Sequence, residues 1–217
     1  MTLLLDVDRA LLDKDAGVLA ELRPYLLRHN LAPDDDELLC RFDEEEAKAR
    51  SGRPLPYRKV LRQTMRGFGF VYQFPHTDVE IRALEQSVAR WPIYPEVPDA
   101  LRRLKAAHRL IALTSLDIDL FAPLAVRLGD PFAAVVTPAD AGAYPPSIRY
   151  IKTVIDRAGE GATLVAGSRY ELLAPARTAG LAAILVERTP LDAEGLPPIF
   201  ADQTFPDLFT LCDYLGA

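Results

Sequence analysis

Cysteine, histidine, net positive charge and long apolar runs are all scarce in this 217-residue sequence, and each shortage removes a class of function. The two cysteines, Cys40 and Cys212, stand far apart and lack the clustered spacing of a zinc site, which predicts two reduced thiols. Twenty-five Lys and Arg against 31 Asp and Glu leave a formal charge of -6. That balance argues against nucleic acid or an anionic membrane as a partner, since both need a basic face. No stretch approaches the ~20 apolar residues of a membrane span. The first apolar run is broken early by Asp6 and follows no basic region, so the sequence predicts a cytoplasmic protein without a leader. A GxSxG elbow, a P-loop and a GxGxxG turn are all missing. The three histidines, His29, His76 and His108, have no neighbours that suggest a triad.

Forty-nine per cent of the residues are apolar, enough for a sizeable core, and they are grouped in short runs with β-branched residues. LLLDVD (3–8), RLIALTS (109–115), FAAVVTP (132–138), ATLVAGS (162–168) and AAILVER (182–188) read as strands. Between them PDALRRLKAAH (98–108), DLFAPLAVRLG (119–129), PSIRYIKTVIDRAG (146–159) and LLAPARTAG (172–180) read as helices. This alternation predicts an α/β, Rossmann-like parallel sheet with its site at the carboxyl ends of the strands. Residues 14–90 have long helical patterns and no convincing strand, and so read as a helical insertion. The expected division is a core of 1–13 and 91–217 with a helical cap of 14–90, bends being expected at GRP (52–54) and WP (91–92). From Thr189 the tail reads as an irregular loop and one closing helix, TFPDLFTLCDYLG.

Two carboxylates end the first strand. Residues two apart on a strand project to the same side, so Asp6 and Asp8 are expected to converge on one spot. The plainer alternative is a turn cap plus an ion pair with Arg9.

These segments, in this order, resemble the haloacid dehalogenase (HAD) superfamily, and in particular its L-2-haloacid dehalogenase-like branch. LLLDVDRALLD stands as first motif, PYRKVLRQTM within the cap, RLIALTSLDIDLF as second motif, AGAYPPS as third and LVAGSRYELLAPARTAGL as fourth. The resemblance implies a HAD fold with an inserted cap and puts the nucleophile on Asp6. Phosphatase relatives carry a general acid/base at the place of Asp8, and a substrate-binding hydroxyl at the place of Thr114, which Ser115 follows.

The chain departs from the family pattern at three places. Arg9 and Ala10 replace glycine and threonine, Tyr144-Pro145-Pro146-Ser147 lacks the third-motif lysine, and Leu172 stands where the fourth-motif acid is expected. Glu171 and Lys152 lie near the lost groups but at the wrong positions, which leaves Arg9 as the replacement cation. Loss of two catalytic groups, each worth a factor of about 10² to 10⁴, argues against ordinary phosphatase chemistry and against a metal or other cofactor.

The sequence therefore predicts a HAD-fold enzyme that has lost hydrolysis and uses its core-cap cleft for isomerisation, cyclisation or cycloaddition of an apolar metabolite. Asp6, Asp8, Arg9 and Thr114 would be the catalytic groups, and Ser115, Phe42, Phe68, Phe70 and Tyr144 would contact substrate. One alternative is a metal-independent dehalogenase-type hydrolase with Asp6 as nucleophile. Another is a noncatalytic binding protein. Neither nucleic acid nor membrane is expected as a partner, and a homodimer is left open.

Overall fold

In the computed structural model, residues 1–52, 54–167, 172–188 and 201–217 are described. The chain runs β1 (Thr2–Asp6), a π-helical turn (Val7–Leu11), α1 (Lys14–Arg28), α2 (Asp35–Arg50), α3 (Tyr57–Val71), α4 (Asp78–Ser87) and a 3₁₀ turn (Val88–Arg90). It continues α5 (Val97–Ala107), β2 (Arg109–Leu113), α6 (Ile118–Arg127), β3 (Ala134–Val136), α7 (Pro138–Ala141), α8 (Ile148–Ala158), β4 (Ala162–Ala166), α9 (Leu173–Thr178), β5 (Ala182–Val186), β6 (Gln203–Phe205) and α10 (Leu208–Leu215). It divides into two units: Met1–Leu12, Ile93–Ser115 and Ala125–Ala217 form one, Asp13–Pro92 and Leu116–Leu124 the other. Leu116–Leu124, which the sequence assigns to the core, thus groups with the helices.

The first unit is a six-stranded parallel sheet in the order β3-β2-β1-β4-β5-β6. β1 is flanked on both sides, its Leu3–Leu5 pairing with Leu110–Ala112 of β2 and with Thr163–Val165 of β4. Leu3, Leu4 and Leu5 are consecutive and fully buried, so both faces of the strand are covered as well as both edges, as is usual in a parallel sheet packed between helices. Each contributes about 2 kcal/mol by leaving water. Tyr150, Ile151 and Val154 of α8 pack with Leu4, Ile111, Val136 and Leu164 in one core cluster. From β1 the chain goes to β2 on one side and later to β4 on the other, so the strand order reverses at β1. Such a reversal opens a crevice at the carboxyl ends of the strands.

Two expectations need correction. The tail contains a short strand, β6, which pairs with β5 through Ile184↔Gln203 to Val186↔Phe205. Three residues flanked by Pro206 offer no period to read. The first strand stops at Asp6, and the next five residues wind into the π turn, closed by Leu12 N–H on Val7 O at 3.1 Å. Asp8 therefore lies on that turn, and strand alternation does not place it.

The second unit is helical. Asp13, Asp34 and Thr77 each cap a helix by accepting an N–H three residues on. Within it Lys14 is buried against Glu46, with Nζ at 2.8 and 2.9 Å from the carboxylate oxygens. Tyr57 Oη also donates to Glu46, and Arg50 lies 3.1 Å from it. Burial alone would raise the Glu46 carboxyl, but the Lys14 ammonium and Arg50 override it and hold it far below the ordinary range. Trp91 is buried over Gly17, where a Cβ would overlap the indole ring. Among the described residues no helix is long and apolar enough to cross a membrane.

Candidate functional site

The carboxyl ends of β1, β2 and β4 bring five groups together, all in the α/β unit. Asp6 ends β1, Asp8 follows on the π turn, Thr114 and Ser115 follow β2, and Gly167 follows β4. Both acids are almost enclosed, Asp6 at 6% and Asp8 at 8% exposure. Buried carboxylates are costly unless hydrogen-bonded, and both are.

Asp8 accepts at each oxygen. Thr114 Oγ1 donates to Oδ1 at 2.6 Å and the Ser115 backbone N–H donates to Oδ2 at 2.8 Å. Thr114 is held in turn by Tyr150, whose hydroxyl accepts the Thr114 N–H at 3.2 Å and donates to the Val136 carbonyl at 2.8 Å. Burial, followed by the nearby charges of Asp8 and Asp6, raises the Tyr150 phenol well above its ordinary value, so it stays a proton donor.

Asp6 is in a different state. Its contacts are the backbone N–H groups of Gly167 and Asp8. Burial first, then repulsion from Asp8, raises its carboxyl from 3.8 to about 7; the Arg9 charge and the two N–H groups pull the other way. Asp6 is thus raised toward neutral pH, and Asp8 accepts a hydrogen bond at each oxygen. Paired acids in unequal surroundings are the usual means of dividing roles at one site.

Gly167 makes this approach feasible. A Cβ there would overlap the Arg9 carbonyl and lie 2.8 Å from Ala10 N, so any side chain would push the π turn off the end of β4. Only a residue without a Cβ lets its N–H reach Asp6 while the turn passes over it.

The structure brings Asp6, Asp8, Arg9, Thr114 and Ser115 to one end of the sheet, with Ser115 acting through its backbone on Asp8. Tyr144 is buried in the same unit. Phe42 and Phe68 are interior to the helical unit, Phe42 beneath Lys14 and Phe68 stacked on Tyr72 at 5.9 Å. Phe70 is 87% exposed, because residues two apart on α3 point in different directions. Phe68, Tyr72 and Phe74 stack in succession, and Phe70 faces away from them. Ser168, Arg169, Tyr170 and Glu171 of the fourth motif, Arg53 of the GRP bend and the loop 189–200 lie outside the described residues. Sequence reasoning does not find Gly167 or Tyr150. The small residue after a buried strand is a signal for Gly167, but a tyrosine within a helical pattern offers none for Tyr150.

Among the described residues, the donor set for magnesium, which serves phosphatase relatives, is incomplete. Both Asp8 oxygens are already acceptors within the protein, and Leu172 offers no ligand. Among the described residues no group of three or more His, Cys, Asp or Glu side chains is placed to hold a metal ion.

No family model matches the sequence, and no curated protein matches it. Solved structures do match over the whole chain. The L-2-haloacid dehalogenase PA0810 superposes with a TM-score of 0.81 at 19% identity, covering 99% of this chain and 98% of that one. The defluorinating L-2-haloacid dehalogenase Rha0230 gives 0.83 at 18% identity, covering 100% and 95%. The L-2-haloacid dehalogenase from Xanthobacter autotrophicus with chloropropionic acid covalently bound gives 0.78 at 17% identity, covering 100% and 98%.

Proposed function

With the haloacid dehalogenase fold as premise, we propose that the chain is a metal-independent hydrolase that displaces a leaving group from carbon with Asp6. The observation that carries this reading is the buried Asp6 at the end of β1, held by two backbone N–H groups beside a second acid locked by Thr114 and Ser115. An Asp6 oxygen attacks the carbon, the bond to the leaving group breaks with its electron pair, and an ester forms. Water then attacks the ester carbonyl, the alcohol departs with the original Asp6 oxygen, and the carboxylate is restored. Halide or another stable anion suits the first step because it needs no protonation. The positive charge of Arg9 stands in for the third-motif lysine by favouring ionised Asp6. The fold likeness supports this hydrolytic reading better than the loss of hydrolysis expected from the motifs.

The test compares the protein with its Asp6→Asn variant on 2-haloacids and on generic phosphate esters, followed by one turnover in ¹⁸O water. The proposal expects turnover only with Asp6 and one solvent oxygen appearing in the Asp6 carboxylate. Equal turnover in both proteins would refute it.

A second reading follows from the same residue, since a carboxyl near 7 is also suited to moving a proton. Isomerisation or cyclisation of an apolar metabolite would then depend on Asp6 yet leave no solvent oxygen on it. Here Ser115 and Tyr144 would contact the substrate within the same unit.

A further inference from the structure

The π turn that carries Asp8 ends on a carbonyl held by an arginine 178 residues further along the chain. The last carbonyls of a helical turn have no partner inside it. Ala10 O accepts two N–H groups of Arg188, from Nε at 2.9 Å and Nη2 at 2.5 Å. The remaining arm, Nη1, is ion-paired with Glu96, and the guanidinium carbon lies 4.0 Å from the centre of the Tyr94 ring. The Arg188 and Glu96 side chains are only 6% and 14% exposed. Tyr94 also donates its backbone N–H to Leu11 O at 3.2 Å, so both final carbonyls of the turn are held by this one cluster.

We propose that Arg188 is a positioning residue for the Asp6–Asp8 pair, fixing the π turn by its closing carbonyl just beyond the peptide that Gly167 meets; the role rests on the hydrolase reading above. Three features set it apart from a general structural contact. The fork grips one carbonyl with two donors, which fixes direction as well as distance and which a lysine ammonium cannot reproduce. Glu96 neutralises it, so it acts on the acids through backbone geometry, with little added field. Gly167 lies against the Arg9–Ala10 peptide, Arg188 grips the carbonyl of the next peptide, Ala10–Leu11, and the two residues before Arg9 are Asp8 and its link to Asp6. A buried ion pair gains little stability over apolar packing, so its worth at this place lies in the geometry it enforces.

The experiment is a carboxyl ¹³C titration of Asp6 in the full chain and in its Arg188→Lys and Arg188→Met variants, with turnover measured alongside. The expected result for Arg188→Lys is a folded protein whose Asp6 midpoint falls by about one pH unit, because the loosened turn admits water. The same variant should lose about 10- to 100-fold in kcat with KM changed less than about two-fold, as misplacement of a reacting group does. Arg188→Met should behave alike if it folds, and Arg188→Lys decides the matter if it does not. An Asp6 midpoint unchanged in a folded variant overturns the proposal whatever turnover does. The titration needs no substrate, so failure of the hydrolase reading appears separately, as absent turnover in the unaltered protein.

Discussion

Replacing Asp6 with asparagine probes the site through stability alone. In the folded protein its carboxyl is raised from 3.8 to about 7, chiefly by burial and by Asp8. An acid raised on folding holds its proton more tightly in the native state, so its contribution is fully present below the unfolded value and is lost as pH rises through the folded one. Each tenfold gain in proton affinity is worth about 1.4 kcal/mol, so the unaltered protein loses about 3 kcal/mol from this group between about pH 5 and pH 8. Asparagine has a similar shape and can still accept a backbone N–H through its amide oxygen, but it has no proton to lose. Urea unfolding of both proteins at several pH values reads the contribution of Asp6 together with its interactions with Asp8 and Arg9. The Asp6→Asn variant should gain on the unaltered protein by about 3 kcal/mol over that range and be the more stable at about pH 8. Parallel curves would refute the reasoning, showing that Asp6 ionises as an ordinary surface acid does.

Under the proposed function Asp6 must be ionised to attack, so kcat/KM should rise with pH through about 7 with the slope of one proton, and a rate flat between about pH 5 and pH 8 would count against that role. Gly167→Ala should destabilise by at least about 2 kcal/mol in chemical denaturation and depress Asp6-dependent turnover, since the new methyl meets the Arg9 carbonyl. Thr114→Val should cost about 1 to 3 kcal/mol by leaving an Asp8 oxygen without its hydroxyl donor, whereas Thr114→Ser should stay close to the unaltered protein. In the helical unit Lys14→Met removes one partner of a buried pair and should cost about 3 to 5 kcal/mol. Glu46, whose carboxyl is depressed on folding, contributes stability above its ordinary value of 4.5 that is lost as pH falls, so Glu46→Gln should flatten the acid limb of unfolding.

The sequence made the sheet legible where burial leaves a pattern. LLLD and its four parallel companions are apolar runs because strands covered on both faces have no reason to be anything else. β6 left no such mark, being three residues at the sheet edge with two of them exposed. At the site, charged residues at a strand end announced themselves, and Thr114 was found by its place in the second motif. What stayed hidden acts through the backbone or from a distance. Gly167 contributes an N–H and an absent side chain, Tyr150 reaches Thr114 from a helix, and Arg188 grips a carbonyl far earlier in the chain. The convergence of Asp6 and Asp8 was anticipated for a reason the fold does not use. A π turn and the Thr114–Ser115 pair bring Asp8 to its place, and neither follows from spacing in a strand.

The central place of β1 governs how the chain must be made. Residues 2–6 leave the ribosome well before either neighbouring strand, 109–113 on one side and 162–166 on the other. At about 5 to 20 residues per second, an apolar segment with both edges bare waits about 5 to 20 seconds for its first partner and about 8 to 32 seconds for its second. Nearly all of the helical unit is translated in that interval, while the segment that bears Asp6 still lacks both neighbours. A nascent chain halted near residue 100 should therefore present an unprotected Leu3–Leu5, the kind of segment that chaperones capture. Synthesis order thus leaves the strand that bears Asp6 without a partner until β2 has been made.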